Sequence, residues 1–206
     1  MRCPFKGPGQ LRSRLGLVQP AFVVWNDRGR ADQPNARLLL LAKQGSHRRR
    51  FTEALTKLGV AQAQICFADY LPSTPDLSQG ALLARYHEID LALDTFPYGG
   101  MTTTLDALWM GVPVVSLIGP RNLGRAGLSI LSNVGLADFA VPSVDAYVET
   151  AIRLSKDKSA LTALRASLRS RMQASPLLSA EGFTRKLEVS FRDMWVEWCA
   201  GQPKVG

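Results

Sequence analysis

The sequence has few of the residues that build metal centres and disulfide frameworks. Its 206 residues include three cysteines, Cys3, Cys66 and Cys199, and two histidines, His47 and His87. An odd number of widely spaced cysteines favours reduced thiols in a cytoplasmic protein over a disulfide scaffold or a zinc pattern. Neither histidine has a partner at metal-ligand spacing. The sequence therefore predicts a cytoplasmic protein without a bound metal.

Long hydrophobic runs are also absent. No apolar run reaches the roughly eighteen residues that a membrane span needs, and the first residues lack the apolar core of a signal peptide. Hydrophobic residues nevertheless make up 46% of the chain. That composition and length predict one well-packed globular domain and no membrane partner.

The net charge of +8 is unevenly distributed, since residues 1–50 carry a net charge of +9 and the remaining residues carry −1. The basic run at 47–50 resembles a solvated helix face, and no aromatic residues are interleaved with it to stack on bases. A basic RNA-binding protein is therefore only a third interpretation, and it depends on the head of the chain alone.

Apolar segments with strand character alternate with amphipathic segments, and this alternation predicts an α/β fold with a parallel sheet. Phe22 to Trp25 could form a further strand. The predicted strands are 37–42, 64–67, 91–93, 114–117 and 139–141. The predicted helices are 46–58 and 143–154, with Ser46 and Ser143 as caps, and 79–87, 123–133, 158–173 and 180–199, with a short helix beginning at residue 102.

The run from residue 90 to 115 reads as strand, glycine turn, helix, glycine stop and second strand, the length of one β-α-β unit. Three threonines at 102–104 open the helix, where a hydroxyl can cap free N–H groups and the N-terminus favours an anion such as phosphate. Asp106 lies on the same face as Thr102 and Thr103, where its carboxylate could accept hydrogen bonds from a sugar. Gly100 lets the backbone approach a ligand closely. The alternative is a capped helix start with no ligand.

This run, together with residues 119–129, 175–183 and 191–195, resembles the C-terminal catalytic half of the O-linked N-acetylglucosamine (O-GlcNAc) transferases, in particular the SPINDLY-like group with its bacterial members. The resemblance covers roughly residues 36–198. It implies a Rossmann-like parallel sheet with flanking helices, the C-terminal half of a GT-B glycosyltransferase, followed by closing helices. The implied reaction is transfer of N-acetylglucosamine from UDP-GlcNAc to a Ser or Thr hydroxyl of an acceptor protein, without a cofactor or metal.

The resemblance also assigns a UDP-sugar site. Thr102 and Thr103 match the paired threonines at the diphosphate, and Asp106 matches the aspartate that binds the ribose. Gly100 and the backbone of Met101 complete the expected substrate-binding set. No residue is assigned as catalytic.

The chain departs from the family pattern at three places. Met101 stands where the family has histidine, and Leu82 stands where it has histidine three positions before Arg85. The lysine that neutralises the leaving diphosphate has no match, because Lys43 follows a different strand. Arg85 and Arg125 match family arginines and are possible phosphate contacts.

These observations divide the chain into a divergent basic head at 1–35, a nucleotide-sugar domain with closing helices at 36–200 and a tail at 201–206. The interpretation is the UDP-sugar-binding half of a truncated or divergent transferase, expected to be inactive without an N-terminal half. The alternative is a non-catalytic, degenerate nucleotide-binding or protein-interaction module. Trp109 and Trp195 are expected in the core, and Asp94 could serve either the site or the turn that follows it.

Overall fold

The computed structural model of the protein describes residues 23–26, 37–69 and 83–201, with side chains from residue 37 onward. Most of the head at 1–35, the segment 70–82 with Leu82, and nearly all of the tail lie outside the described residues. The strands are β1 (Val23–Asn26), β2 (Arg37–Leu41), β3 (Ile65–Ala68), β4 (Leu91–Leu93), β5 (Val114–Leu117) and β6 (Ala140–Val141). The α-helices are α1 (Ser46–Lys57), α2 (Thr102–Trp109), α3 (Ala126–Asn133), α4 (Val144–Lys156), α5 (Lys158–Gln173) and α6 (Ala180–Gly201).

The six described strands form one sheet in the order β3-β2-β1-β4-β5-β6. β2 pairs parallel with β3, and β4, β5 and β6 pair parallel with one another, so the predicted parallel α/β sheet is confirmed. β1 is the exception, since it is antiparallel to both β2 and β4. Only residues 27–36 connect β1 to β2, which is shorter than the dozen or more residues that a parallel crossover needs.

The two central strands β4 and β5 are covered on both faces, as parallel strands usually are. Ala92 and Val114 pack with α2, α3 and α5, where Leu108, Leu131 and Leu168 are fully or almost fully buried. Neighbours on the opposite faces of the same strands pack against α4 and the start of α5; they are Leu91 and Val115. A smaller cluster of buried hydrophobic residues lies between α1 and β2. The sheet therefore holds the carboxyl ends of β4 and β5 side by side.

Gly111 ends α2 and turns the chain into β5. Its φ of +79° is left-handed, a conformation that favours glycine. The amide of Val112 then donates to the carbonyl of Ala107 over 2.7 Å, which closes the end of the helix. A side chain at 111 would also press on the backbone of Arg165 in α5.

Two details of the sequence prediction need correction. Ser46 does not cap α1; it is the first residue of the helix, and Gly45 precedes it without a side-chain cap. Trp195 is not in the core, because α6 has no buried residue and its indole is 63% exposed, stacked only on Trp198. Ser143 does cap α4, as predicted, by accepting a hydrogen bond from the amide of Ala146.

Candidate functional site

The predicted substrate-binding residues lie at the carboxyl end of β4, in the loop that leads into α2. Open α/β sheets bind ligands at this edge. Thr102 begins α2 and is exposed, Thr103 is half-buried, and Met101 precedes them with its side chain 57% exposed. The structure thus presents these three consecutive residues at the helix N-terminus.

None of the threonines caps α2, contrary to the prediction that a hydroxyl would do so. The N-cap position is Met101, and no side chain bonds to the helix start. The hydroxyl of Thr104 instead donates to the carbonyl of Gly100 over 3.0 Å, which ties the loop to the first turn. The amides of the first turn are therefore left without a side-chain partner, and a helix in that state attracts an anion.

Asp106 lies one turn further along α2 and is half-buried, and burial raises the pKa of its carboxyl. Tyr86 packs below it, in the 3₁₀ turn Arg85–Glu88. Burial and then the charge of Asp106 raise the pKa of the Tyr86 phenol. The phenol stays protonated and donates to the carbonyl of Thr103 over 3.3 Å. Asp106 and Thr103 are thus brought together on one helix face, as predicted.

Asp94 follows β4 and stabilises the next turn, which is one of the two roles that the sequence left open for it. Its Oδ1 accepts a hydrogen bond from the amide of Gly100 over 2.7 Å, and its Oδ2 accepts one from the hydroxyl of Ser116 over 2.6 Å. Burial raises the pKa of this carboxyl, and the hydrogen bonds from Gly100, Ser116 and Thr95 oppose that rise.

The two arginines occupy neighbouring segments. Arg85 precedes Tyr86, and its Nη1 is buried without a hydrogen-bond partner among the described residues. Buried guanidinium nitrogens normally have a partner, so this one is available to an acceptor. Arg125 is exposed before α3, and its Nε donates to the carbonyl of Gly119 over 3.3 Å. It is held by its own loop after β5.

Both histidines lie outside α2 and the loop that precedes it. His47 lies exposed on α1, as predicted, and His87 is exposed in the turn before β4. Within residues 37–69 and 83–201, no three His, Cys, Asp or Glu side chains are grouped as a metal-ligand set. No helix of the described part of the chain is long and apolar enough to cross a membrane.

Residues 19–187 match the model of glycosyl transferase family 41. The chain belongs to this family. The match begins before residue 36, so it also takes in residues that the sequence analysis had left outside the resemblance.

Several curated plant proteins are similar to the chain. The chain is 39% identical over 171 residues to the probable UDP-N-acetylglucosamine–peptide N-acetylglucosaminyltransferase SPINDLY of Hordeum vulgare, and 37% identical over 172 residues to that of Arabidopsis thaliana. It is 32% identical over 170 residues to the probable transferase SEC of Arabidopsis thaliana. These alignments cover 82% of the chain but only 17–18% of the relatives' own length.

A solved family structure has the same fold. A mutant O-GlcNAc transferase of Thermobaculum terrenum superposes with a TM-score of 0.71 at 37% identity, covering 80% of this chain and 31% of that one. The described sheet and helices are therefore those of a GT-B catalytic half, as the resemblance implied.

Sequence reasoning missed three buried residues that form hydrogen bonds beside the candidate site. Tyr86, Ser116 and Tyr147 are buried and bond to the loop, to α2 or to Asp94. One signal was available, since Ser116 is a polar residue within the apolar strand β5. A buried hydroxyl must find a hydrogen-bond partner, and a carboxylate after the neighbouring parallel strand is well placed to supply one.

Proposed function

We propose that this chain is the UDP-sugar-binding part of a protein O-GlcNAc transferase, which moves N-acetylglucosamine from UDP-GlcNAc to a Ser or Thr hydroxyl of an acceptor protein. The observation that carries the proposal is the uncapped N-terminus of α2, with Thr102, Thr103 and Asp106 on it. The names of the plant relatives, which describe transfer from UDP-N-acetylglucosamine to peptides, support the same donor.

The chemistry of such a site is charge stabilisation. Cleavage of the sugar–phosphate bond leaves negative charge on the diphosphate of UDP. The amides and dipole of α2, with the hydroxyls of Thr102 and Thr103, would stabilise that charge without a metal or other cofactor. Asp106 would accept hydrogen bonds from the ribose. Free Cys66 and Cys199 suit a reducing cytoplasm, where we place the protein.

The acceptor side of the reaction needs a partner for α6. This helix exposes a stripe at helical spacing, and we call these residues the α6 stripe: Phe183, Leu187, Phe191, Met194, Trp195 and Trp198. A stripe of this length is the face that an amphipathic helix buries against another element. We infer that the other catalytic half of the transferase covers it and supplies the acceptor site.

The second candidate function is a non-catalytic nucleotide-binding or protein-interaction module, and Met101 favours it. An exposed thioether at the helix N-terminus cannot donate the hydrogen bond that a histidine would give to phosphate. Each missing charge-assisted hydrogen bond costs about 1.5–3 kcal/mol. Loss of two, at Met101 and Leu82, would weaken UDP binding by roughly a hundredfold or more.

Calorimetry with UDP and UDP-GlcNAc on the full chain tests the proposal. We expect weak UDP binding, UDP-GlcNAc no tighter, and loss of both in the Thr102→Ala, Thr103→Ala double variant. The chain alone should not label peptides with radioactive sugar, because a GT-B enzyme orients both reactants between two halves. That orientation can lower the barrier by about 7–11 kcal/mol. Absence of binding at millimolar UDP would overturn the donor-site proposal in favour of the second candidate.

A further inference from the structure

Asp94 bonds to three segments around the proposed diphosphate site, namely β5, α4 and the loop before α2. Its backbone amide donates to the carbonyl of Val115 over 2.9 Å, and its own carbonyl accepts from the phenol of Tyr147 over 2.8 Å. The residue is 9% exposed. The backbone of Asp94 is thereby fixed to β5 and α4 independently of the contacts of its side chain.

The carboxylate is enclosed by glycines that leave no room for a side chain. A Cβ on Gly99 would lie 2.9 Å from Oδ2, and a Cβ on Gly100 would collide with the hydroxyl of Thr103. On the other side, a Cβ on Gly127, the second residue of α3, would collide with Ser116 and lie 3.2 Å from Oδ2. The loop before α2 and the N-terminus of α3 thus both pack directly against this carboxylate.

The hydrogen bonds of Asp94 go to neutral groups. Gly100 and Ser116 each donate to one oxygen, and Thr95 donates from its backbone. No Lys or Arg forms an ion pair with it within the described part of the chain. A buried carboxylate without a cation is costly, so its presence here calls for a role that the acceptor oxygens perform.

We propose that Asp94 is a positioning residue of the donor site, which holds the Gly100 amide so that the loop and the first turn of α2 are fixed before UDP arrives. This inference rests on the proposed function. Gly100 directly precedes Met101 and Thr102. If its amide were not held, the backbone amides and hydroxyls that would face the diphosphate could also move. Preorganisation of this kind increases affinity by lowering the ordering cost of binding.

The test is UDP affinity by calorimetry in three variants, each measured well below its melting temperature. Asp94→Ala removes both acceptors and should weaken UDP binding at least about tenfold, a loss of about 1.4 kcal/mol. Asp94→Asn keeps one oxygen for Gly100 and an amide for Ser116, so it should restore affinity to within about threefold of the wild type. The matched control is Ser175→Ala, which removes a buried hydrogen bond to the carbonyl of Met172 at the end of α5 and should leave UDP affinity unchanged.

The outcomes separate this inference from the proposed function. No UDP binding by the wild-type chain would refute the donor site itself. If the wild type binds UDP and Asp94→Ala binds it with equal affinity, the positioning role alone is overturned. The same follows if Asp94→Asn binds UDP as weakly as Asp94→Ala. If Asp94→Ala does not fold, Ser116→Ala decides. That variant removes the hydrogen bond to one carboxylate oxygen, so it should weaken UDP binding and speed hydrogen exchange at the Gly100 amide. Unchanged UDP affinity and an unchanged exchange rate would overturn the proposal.

Discussion

The phenol of Tyr86 donates a hydrogen bond to the carbonyl oxygen of Thr103, with 3.3 Å between the two oxygens. Tyr86 is buried below the first turn of α2, and Asp94 holds Gly100 immediately before that turn. The N-terminus of α2 is therefore fixed from two directions by buried side chains. Its outer surface, with Thr102 exposed, remains open to a ligand.

Replacing Tyr86 by phenylalanine should lower the free energy of unfolding by about 0.5–1.5 kcal/mol, the usual contribution of one hydrogen bond. The ring and its packing remain, so the loss should be confined to this one hydrogen bond. Urea unfolding measures the loss. Tyr98→Phe is the control, because that side chain is 61% exposed and its substitution should change stability by less than about 0.5 kcal/mol. Equal losses in the two variants would contradict a structural role for the Tyr86 hydroxyl.

Asp106→Ala should abolish measurable UDP binding while the fold stays intact. The carboxylate is half-buried on α2, and burial already disfavours its charged form, so its removal costs the fold little. Calorimetry with UDP and circular dichroism measure the two effects. Asp145→Ala is a matched control, since Asp145 is an exposed acid in the first turn of α4. If Asp106→Ala unfolds, Asp106 is a structural residue and the ribose assignment loses its main support.

Met101→His should tighten UDP binding by about tenfold or more, because one charge-assisted hydrogen bond is worth about 1.5–3 kcal/mol. The gain should be larger below the ordinary histidine pKa of about 6.5, where the imidazolium is charged, than above it. Calorimetry at about pH 6 and pH 8 measures this difference. Met101→Leu, which keeps the size without a donor, should bind UDP like the wild type. The prediction is refuted if histidine and leucine behave alike.

The stability of the protein should carry a pH dependence from Asp94 that is opposite to that of a salt-bridged acid. Burial raises the pKa of Asp94 above its ordinary 3.8 in the folded state. Between 3.8 and the raised value, the folded state binds more protons than the unfolded state, so the free energy of unfolding falls as pH rises and then levels off. Urea unfolding at a series of pH values should show this slope in the wild type. The difference from Asp94→Asn isolates it, and parallel curves would exclude it.

The fold was largely readable from the sequence because alternating strands and helices have few ways to pack. The motif from Asp94 to Asp106 also located the candidate site, since glycine, threonine and aspartate at those spacings serve a phosphate and a sugar. The reversed direction of β1 was not readable, because the direction of a strand depends on the connection that follows it. The pairing of Asp94 with Ser116 joins residues on two strands, which no local pattern encodes.

The prediction that Trp195 lies in the core was wrong for a related reason. Helical spacing of apolar residues predicts that a helix has an apolar face, but it does not say which surface covers that face. Leu168 on α5 is fully buried, because it packs in the cluster that holds Ala92 of β4 and Leu108 of α2. On α6 the same kind of stripe is exposed, because this helix has no buried residue.

The α6 stripe should therefore be dispensable for folding and important for association. Phe191→Ser with Trp195→Ser should leave the thermal unfolding temperature nearly unchanged, because exposed substitutions usually shift stability by no more than about 0.5 kcal/mol. The same double variant should reduce self-association of the chain, measured by light scattering, and prevent binding of a separately expressed second catalytic half. Leu168→Ala is the contrasting control: it empties a fully buried position and should cost about 2–5 kcal/mol. A large stability loss in the α6 variant would show that the stripe packs on its own domain, and the inferred docking of a second half would then have to be abandoned.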